Sequence, residues 1–373
     1  MKQNATVLSQ RTRVALRAGR HARATAGYCS LLVFAGLGLL GAGPDALAQA
    51  AGVALPTTTL PVLRGVVAGQ VVVNAPVRGA MPSQMTIDQA SRRAIIDWRS
   101  FNIGSDAEVL FRHEKGSASS TLNRIYDANP SVIQGRLTSV GPDGVDKLPT
   151  PGGQILLINQ NGILFDRGSQ VNTQSLLAST LNLSMSNLQF CGGDLFACNA
   201  GSAITFGGLT TPAFEGGYDD SGNPLPTRLG GQRPGTIGIG SSGPVAAAAP
   251  VIKSGAGGSI VLIASRIDHN AGLIASPDGQ VVLAAGNKVY LGLSEDSADI
   301  TLRGFRVEVE AAKDGPDLNL TNLVRNAGEI TADRGNVTLA ALAINQEGRI
   351  SAKTAVQRNG SIFLTARDRK SVV

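Results

Sequence analysis

From Gly65 onward the chain is a succession of short apolar runs broken by Gly, Asn, Asp and Pro. Val66-Val67, Val71–Val73, Ile95-Ile96, Val109–Phe111, Ile155–Ile158 and Ile163–Phe165 are each strand-sized and bounded by turn-formers. Helical spacing is nearly absent. The best candidates for helix are Ile87–Ala94 and Ser175–Thr180, both short. Residues 49–64 read as an extended lead-in. Residues 207–250, with Gly216–Pro226, Gly230–Gly235 and Pro244–Pro250, read as a loop-rich insertion.

After the insertion the pattern repeats. Asn270–Ala285 aligns without gaps on Asn326–Ala341, and a looser third copy begins at Asn345, 19 residues after Asn326, with Asn359–Ala366 behind it. A repeat of this length, with short strands and Gly/Asn turns, suits one coil of a parallel β-helix. One coil cannot bury its own apolar face. Stacked coils set Val337 or Ile350 above an equivalent residue at the strand spacing of about 4.8 Å, and each coil's backbone groups pair with the coils on either side. A β-sandwich is the competing architecture; the gapless match favours the coil.

Composition agrees with stacked strands. Apolar residues make up 43% of the 373, aromatics only 4%, and Gly reaches 46 without a Gly-X-Y period, which excludes collagen. The net charge of +6 comes mostly from the N-terminus: Lys2, Arg11, Arg13, Arg17, Arg20 and Arg23 face a single acid, Asp45, before residue 49. Without residues 1–48 the balance is 27 basic to 26 acidic side chains, which argues against nucleic-acid binding. That basic stretch precedes the apolar run Leu31–Leu40 and the small-residue pattern Ala46-Leu47-Ala48 before Gln49. It is the order of a Sec signal peptide over 1–48, cleaved between Ala48 and Gln49. The apolar run is too short to span a bilayer comfortably.

Cys29 lies in the leader. Cys191 and Cys198, with six residues between them, are flanked by turn-formers. In an oxidising compartment they close a small loop, at the low end of disulfide stabilisation, about 2 kcal/mol; free thiols or half a metal site are the alternatives. No further Cys and no nearby His completes a zinc site.

Met85–Gly104, with Asp97-Trp98-Arg99-Ser100-Phe101-Asn102 inside it, resembles the opening of the haemagglutination-activity, or two-partner secretion, domain of filamentous haemagglutinin type. The resemblance continues through Leu122–Ile125, Ile133–Leu137, Gly153–Phe165 and Val171–Ser184, dense over about 62–190 and loose beyond. It implies an all-β, right-handed parallel β-helix with an N-terminal cap and extra-helical loops and hairpins. It also implies export by the Sec translocon, passage through a partner outer-membrane transporter barrel, and a place at the surface of a Gram-negative bacterium or in its medium. The secretion domain is expected over 49–300 and the repeat region over 301–373. The family's Asn-Pro-Asn-Gly secretion motif falls on Asn159-Gln160-Asn161-Gly162, with Gln in place of Pro. A turn is still favoured, since Asn bonds nearby backbone and Asn-Gly is a strong turn pair, but the fixed φ of proline is lost. Recognition by the transporter and a plain coil corner both remain open for these four residues. Trp98, Phe101 and Asn102 are expected to pack and seal the N-terminal end, where an open coil would expose apolar rungs and strand edges; a ligand role for Trp98 is secondary.

Enzyme chemistry finds no footing. His113 and His269 are the only histidines after the leader, and His113-Glu114 lacks the second His of a metalloprotease helix. Gly238–Gly243 matches a dinucleotide fingerprint formally but lacks strand–turn–helix context. Asp219, Asp220 and Asn223 read as a solvated loop rather than a Ca²⁺ site. No enzyme activity, cofactor or metal is therefore expected. The leading reading is an exported adhesin- or haemagglutinin-like protein, with a host-cell or bacterial surface receptor as a further partner. The front of a contact-dependent inhibition (toxin-delivery) protein and a β-helix polysaccharide-active enzyme are the alternatives. The absence of a capping segment after Ala366 leads to the expectation of a longer parent protein or an exposed β edge.

Overall fold

The computed structural model describes residues 55–76, 82–143, 149–201, 204, 206–216, 235–240, 247–293, 304–310, 322–352 and 361–366. The leader with Ala48 and Gln49, the Asp219–Asn223 loop, Ser241–Gly243 and the tail after Ala366 lie outside them.

Three mainly parallel sheets, of nine, six and ten strands, are wound by one chain into a β-helix. The path is plain in one coil. Gln154–Ile158 lies on the nine-stranded face, Ile163–Phe165 on the six-stranded face and Gln170–Thr173 on the ten-stranded face. Ser175–Ser179 then returns to the first face, with Ile155 beside Leu176 in a parallel ladder. Ile155, Leu157, Ile163, Phe165 and Val171 fill the interior with their equivalents from other coils. Each fully buried Ile, Leu or Phe contributes on the order of 2 kcal/mol, and only stacking provides that burial.

The nine-stranded sheet is buried on both sides. Leu156, Ile158, Leu177, Val261, Ile263 and Val282 point out of the cylinder, yet form a second apolar core. Over it lie a four-stranded antiparallel sheet (Asn182–Leu183, Phe214–Glu215, Lys288–Leu293, Phe305–Glu310) and the loop around Cys191. Hence its strands read as unbroken apolar runs. The ten-stranded face is solvated outside. There Met85, Ile87, Val109 and Phe111 face in, while Thr86, Asp88, Glu108 and Arg112 alternate with them.

Six strands open the fold: β1 (Val62–Ala68), β2 (Val71–Asn74), β3 (Ser83–Gln89), β4 (Arg93–Ser100), β5 (Ala107–His113) and β6 (Ser120–Ile125). β1 lies antiparallel on β4 and β2 antiparallel on β3, whereas β4 and β6, and β3 and β5, are parallel. The antiparallel pair β1–β2 therefore satisfies the backbone edge of the first coil. Inside that coil Trp98 and Phe101 meet edge to face, ring centroids 5.2 Å apart, both wholly buried. Trp98 Nε1 donates to Asn123 Oδ1 at 3.0 Å, and Asn102 Oδ1 accepts from Val132 N–H at 2.8 Å.

Several expectations need correction. The two segments with helical spacing are strands: Ile87–Gln89 ends β3, Arg93-Ala94 opens β4, and Ser175–Ser179 sits between two parallel neighbours. Neighbouring coils take their backbone bonds on both sides, which outweighs local propensity. The stretch 207–250 is not wholly an insertion. Thr236–Ile239 is a strand of the six-stranded face between Ile163–Phe165 and Arg266–His269, so Gly238 belongs to a rung. The third repeat is stacked on a 20-residue register, Arg325 on Asn345 and Glu329 on Arg349, not on 19. The boundary expected after residue 300 falls between the paired strands Lys288–Leu293 and Phe305–Glu310 of one hairpin.

Candidate secretion-recognition corner

Asn159–Gly162 forms the corner between the nine- and six-stranded faces. Asn159 is wholly buried and every polar group of its side chain is engaged. Its Nδ2 donates to Asn129 O at 3.2 Å and Ser131 Oγ at 3.0 Å, and its Oδ1 accepts from Asn161 N–H at 2.9 Å. The last bond is the Asx turn that the residue type favours. Asn159 O accepts from Gly162 N–H at 3.1 Å, closing the turn, and Asn159 N–H donates to Ser179 O at 3.0 Å. Asn161 Nδ2 donates to Asp127 O on the previous coil. Gly162 has φ +122°, and a Cβ there would press on Thr236 O at 3.0 Å and on the Pro130 ring. That corner thus needs glycine.

Gln160, like Asn161, is half-buried. Its carbonyl accepts from Gly235 N–H at 2.6 Å and its Nε2 donates to Asn182 Oδ1 at 2.8 Å. It ties the corner to the next coil and to the extra-helical sheet. At the position where the resemblance led to the expectation of proline, this chain carries a side-chain tether. The corner is an uncharged, hydrogen-bonded turn suited to shape recognition rather than acid–base chemistry. Among the described residues no group of three or more His, Cys, Asp or Glu side chains is placed to hold a metal ion.

The other expected residues lie apart from the corner. Trp98, Phe101 and Asn102 belong to the first coils. Cys191 and Cys198 are joined in a disulfide, Cα atoms 4.2 Å apart. His113 and His269 both point into the cylinder, at most 1% exposed. His113 Nε2 meets Thr121 Oγ1 at 2.9 Å, and that hydroxyl donates onward to Gln89 Oε1 at 2.5 Å. Burial pushes the His113 pKa down from 6.5 to about 4, against a smaller opposing contact from the Gly152 backbone. Burial lowers that of His269 too, opposed by contacts to Asn326 and Gly272.

Two features escaped the sequence reading. One is α1 (Asn187–Phe190), whose Ser186-x-x-Gln189 capping box was a readable signal. The other is Arg93, 4% exposed, whose guanidinium donates to Phe190 O at 2.6 Å and Gly201 O at 2.8 Å. Burial lowers its pKa from the ordinary arginine value. Only the fold brings these partners together, about a hundred residues apart in the chain.

Residues 66–218 match the family model of the TPS secretion domain, and the corner lies within the match. Over those residues the chain is similar to a two-partner secretion domain. A domain of that kind implies a partner transporter in the outer membrane. The fold is similar to that of the HMW1 secretion domain from Haemophilus influenzae, with a TM-score of 0.55 at 24% identity, over 81% of this chain and 62% of that one. A heme/hemopexin-binding protein of Haemophilus influenzae is 26% identical over 297 residues, 77% of this chain but 25% of the relative. A second protein of that name and species is 38% identical over 100 residues, 27% of this chain and 9% of the relative. The chain thus spans about a quarter or less of the curated relatives it matches.

Proposed function

We propose that this two-partner secretion domain directs a surface-exposed or released adhesin- or haemagglutinin-like protein through its transporter barrel, with Asn159–Gly162 as a recognition turn. In this reading residues 1–48 are a Sec leader removed after Ala48, and the secretion domain begins at 49 and takes in the whole hairpin of Lys288–Leu293 with Phe305–Glu310. The observation that carries it is the family match at residues 66–218, laid on a stacked β-helix whose Asn159–Gly162 corner keeps three of the four motif residues. The relatives' names give no support to a toxin-delivery or polysaccharide-degrading reading. The binding named for those relatives is not assigned to His113 or His269, whose rings face the interior.

The test is co-expression with a transporter barrel encoded beside the gene, assaying the medium. Asn159→Ala with Asn161→Ala should abolish release. Ser131→Ala removes a partner of Asn159 while leaving the motif intact, and should leave release near normal. Equal loss in both would assign the corner to folding alone, and undiminished release of the first variant would remove its recognition role.

A further inference from the structure

The loop around the disulfide is fastened to the beginning of the β-helix. Phe190 O and Gly201 O accept from the two terminal guanidinium nitrogens of Arg93, and Cys198 O accepts from Arg93 N–H at 2.9 Å. Leu195 O accepts from Gly69 N–H at 3.1 Å, immediately after β1. Asn199 Oδ1 accepts from Arg92 N–H and Asn187 Oδ1 from Arg124 Nη1, both at 3.0 Å. In these contacts the loop supplies acceptors and the opening coils supply donors. The set reaches the cap at Gly69, β4 at Arg93 and β6 at Arg124.

Those acceptors point inward only while the loop keeps its shape. α1 has four residues, too few to be a stable helix by itself. Cys198 has φ +45°, a backbone state that a non-glycine residue holds only when its surroundings enforce it. Both cysteines are buried in the second core, alongside Phe190, Ile95 and Leu122, whereas Leu195 and Phe196 at the loop tip are exposed, Phe196 by 84%. A tip with so little burial has few contacts of its own to hold it. Asp194 Oδ1 accepts from the Phe196 and Ala197 N–H groups within the tip, and the cross-link closes the loop at its base.

From this geometry we propose that the Cys191–Cys198 ring is a redox-closed latch holding the N-terminal cap of the β-helix shut. Closure takes two electrons and two protons from the thiol pair and passes them to a disulfide donor, which leaves as a dithiol. Opening is the reverse: a dithiol reductant is oxidised to its disulfide, and both cysteines return to thiols. In the open state Leu195 O and Cys198 O leave Gly69 and Arg93, the guanidinium loses its two loop carbonyls, and β1 keeps its ladder to β4 and the stacking of Arg64 on Tyr126. Residues 65–69 and 187–201 then open locally, while the later coils, which supply none of these hydrogen bonds, stay closed.

The test is amide hydrogen exchange read by mass spectrometry on the full chain in a Cys29→Ser background, so that one cysteine pair remains. Chain kept reduced from purification onward with a phosphine is compared with the same chain after oxidation, each state verified by thiol alkylation. Reduction should cut protection of β1 and of residues 187–201 by about tenfold or more, leaving Ile260–Ala264 unchanged. Cys191→Ser with Cys198→Ser should reproduce the reduced pattern without reductant, and Arg93→Lys should loosen the same peptides with the disulfide intact. If a variant does not fold, the oxidised and reduced forms of the parent chain still decide. Equal exchange of β1 in both forms would overturn the latch, as would a loss of protection that extends to Ile260–Ala264.

Discussion

The imidazole of His113 and the hydroxyl of Thr121 meet 2.9 Å apart inside the cylinder, one on the ten-stranded face and one on the nine-stranded face. A Cβ on Gly153 would collide with the His113 ring, so the histidine is enclosed as well as bonded. Its folded pKa of about 4 lies below the unfolded value of 6.5. Above pH 6.5 both states are neutral and its contribution to stability is complete. As pH falls from 6.5 towards 4, the unfolded chain binds a proton that the folded chain refuses. Stability should then drop by about 1.4 kcal/mol per pH unit, to a total near 3 kcal/mol, and level off below pH 4. Urea midpoints at pH 7.5 and 4.5 measure this. His113→Gln should flatten part of the slope; an unchanged slope would remove His113 as its source. His269 acts in the same direction.

Asn159→Ala is expected to destabilise the purified domain by about 2 kcal/mol, because Asn129 O, Ser131 Oγ and Asn161 N–H each lose a buried partner. Chemical denaturation gives the number. A loss below about 0.5 kcal/mol would show that water replaces the side chain and that the Asx turn is dispensable.

Gly258, Gly279 and Gly335 stack at successive corners. A Cβ on Gly279 would run into Gly258 O, and one on Gly335 into Gly279 O. Gly279→Ala should therefore cost about 3 kcal/mol or more, by forcing two coils apart. Leu195→Ala, at an exposed site, serves as the control and should change thermal stability little.

Trp98 is the chain's single tryptophan and wholly buried. Its fluorescence reports on the first coils without labelling. Trp98→Ala should cost about 3–5 kcal/mol through the cavity and the lost bond to Asn123. Trp98→Phe keeps most of the volume and should cost less. Equal losses would place the effect in the hydrogen bond rather than in packing.

The repeat at Asn270 and Asn326 was legible because identical coils need identical residues at equivalent places, and its 56-residue offset is the pairing register itself, with Gln280 on Asn336 and Leu283 on Leu339. The hairpin that makes this offset longer than one coil was not legible. Phe305–Glu310 alternates like any half-buried strand, and nothing local tells an extra-helical strand from a rung. Ser175–Ser179 misled for a related reason: burial on both faces erases the alternation that identifies a strand. At the corner, the Asn-Gly turn could be read from residue types, but the bonds of Asn159 to Ser131 and of Gln160 to Asn182 depend on which coils stack. The partners of Arg93 were hidden in the same way.

The register of 20 residues between Asn326 and Gln346 has a mechanical consequence. Tension along the cylinder axis loads the ladders one at a time, like a zip pulled at its end. Each coil that yields frees a length of chain, which at ~3.3 Å per extended residue amounts to about 65 Å. Pulled from its two ends, the β-helix would lengthen in steps of that size and absorb a sudden load without parting.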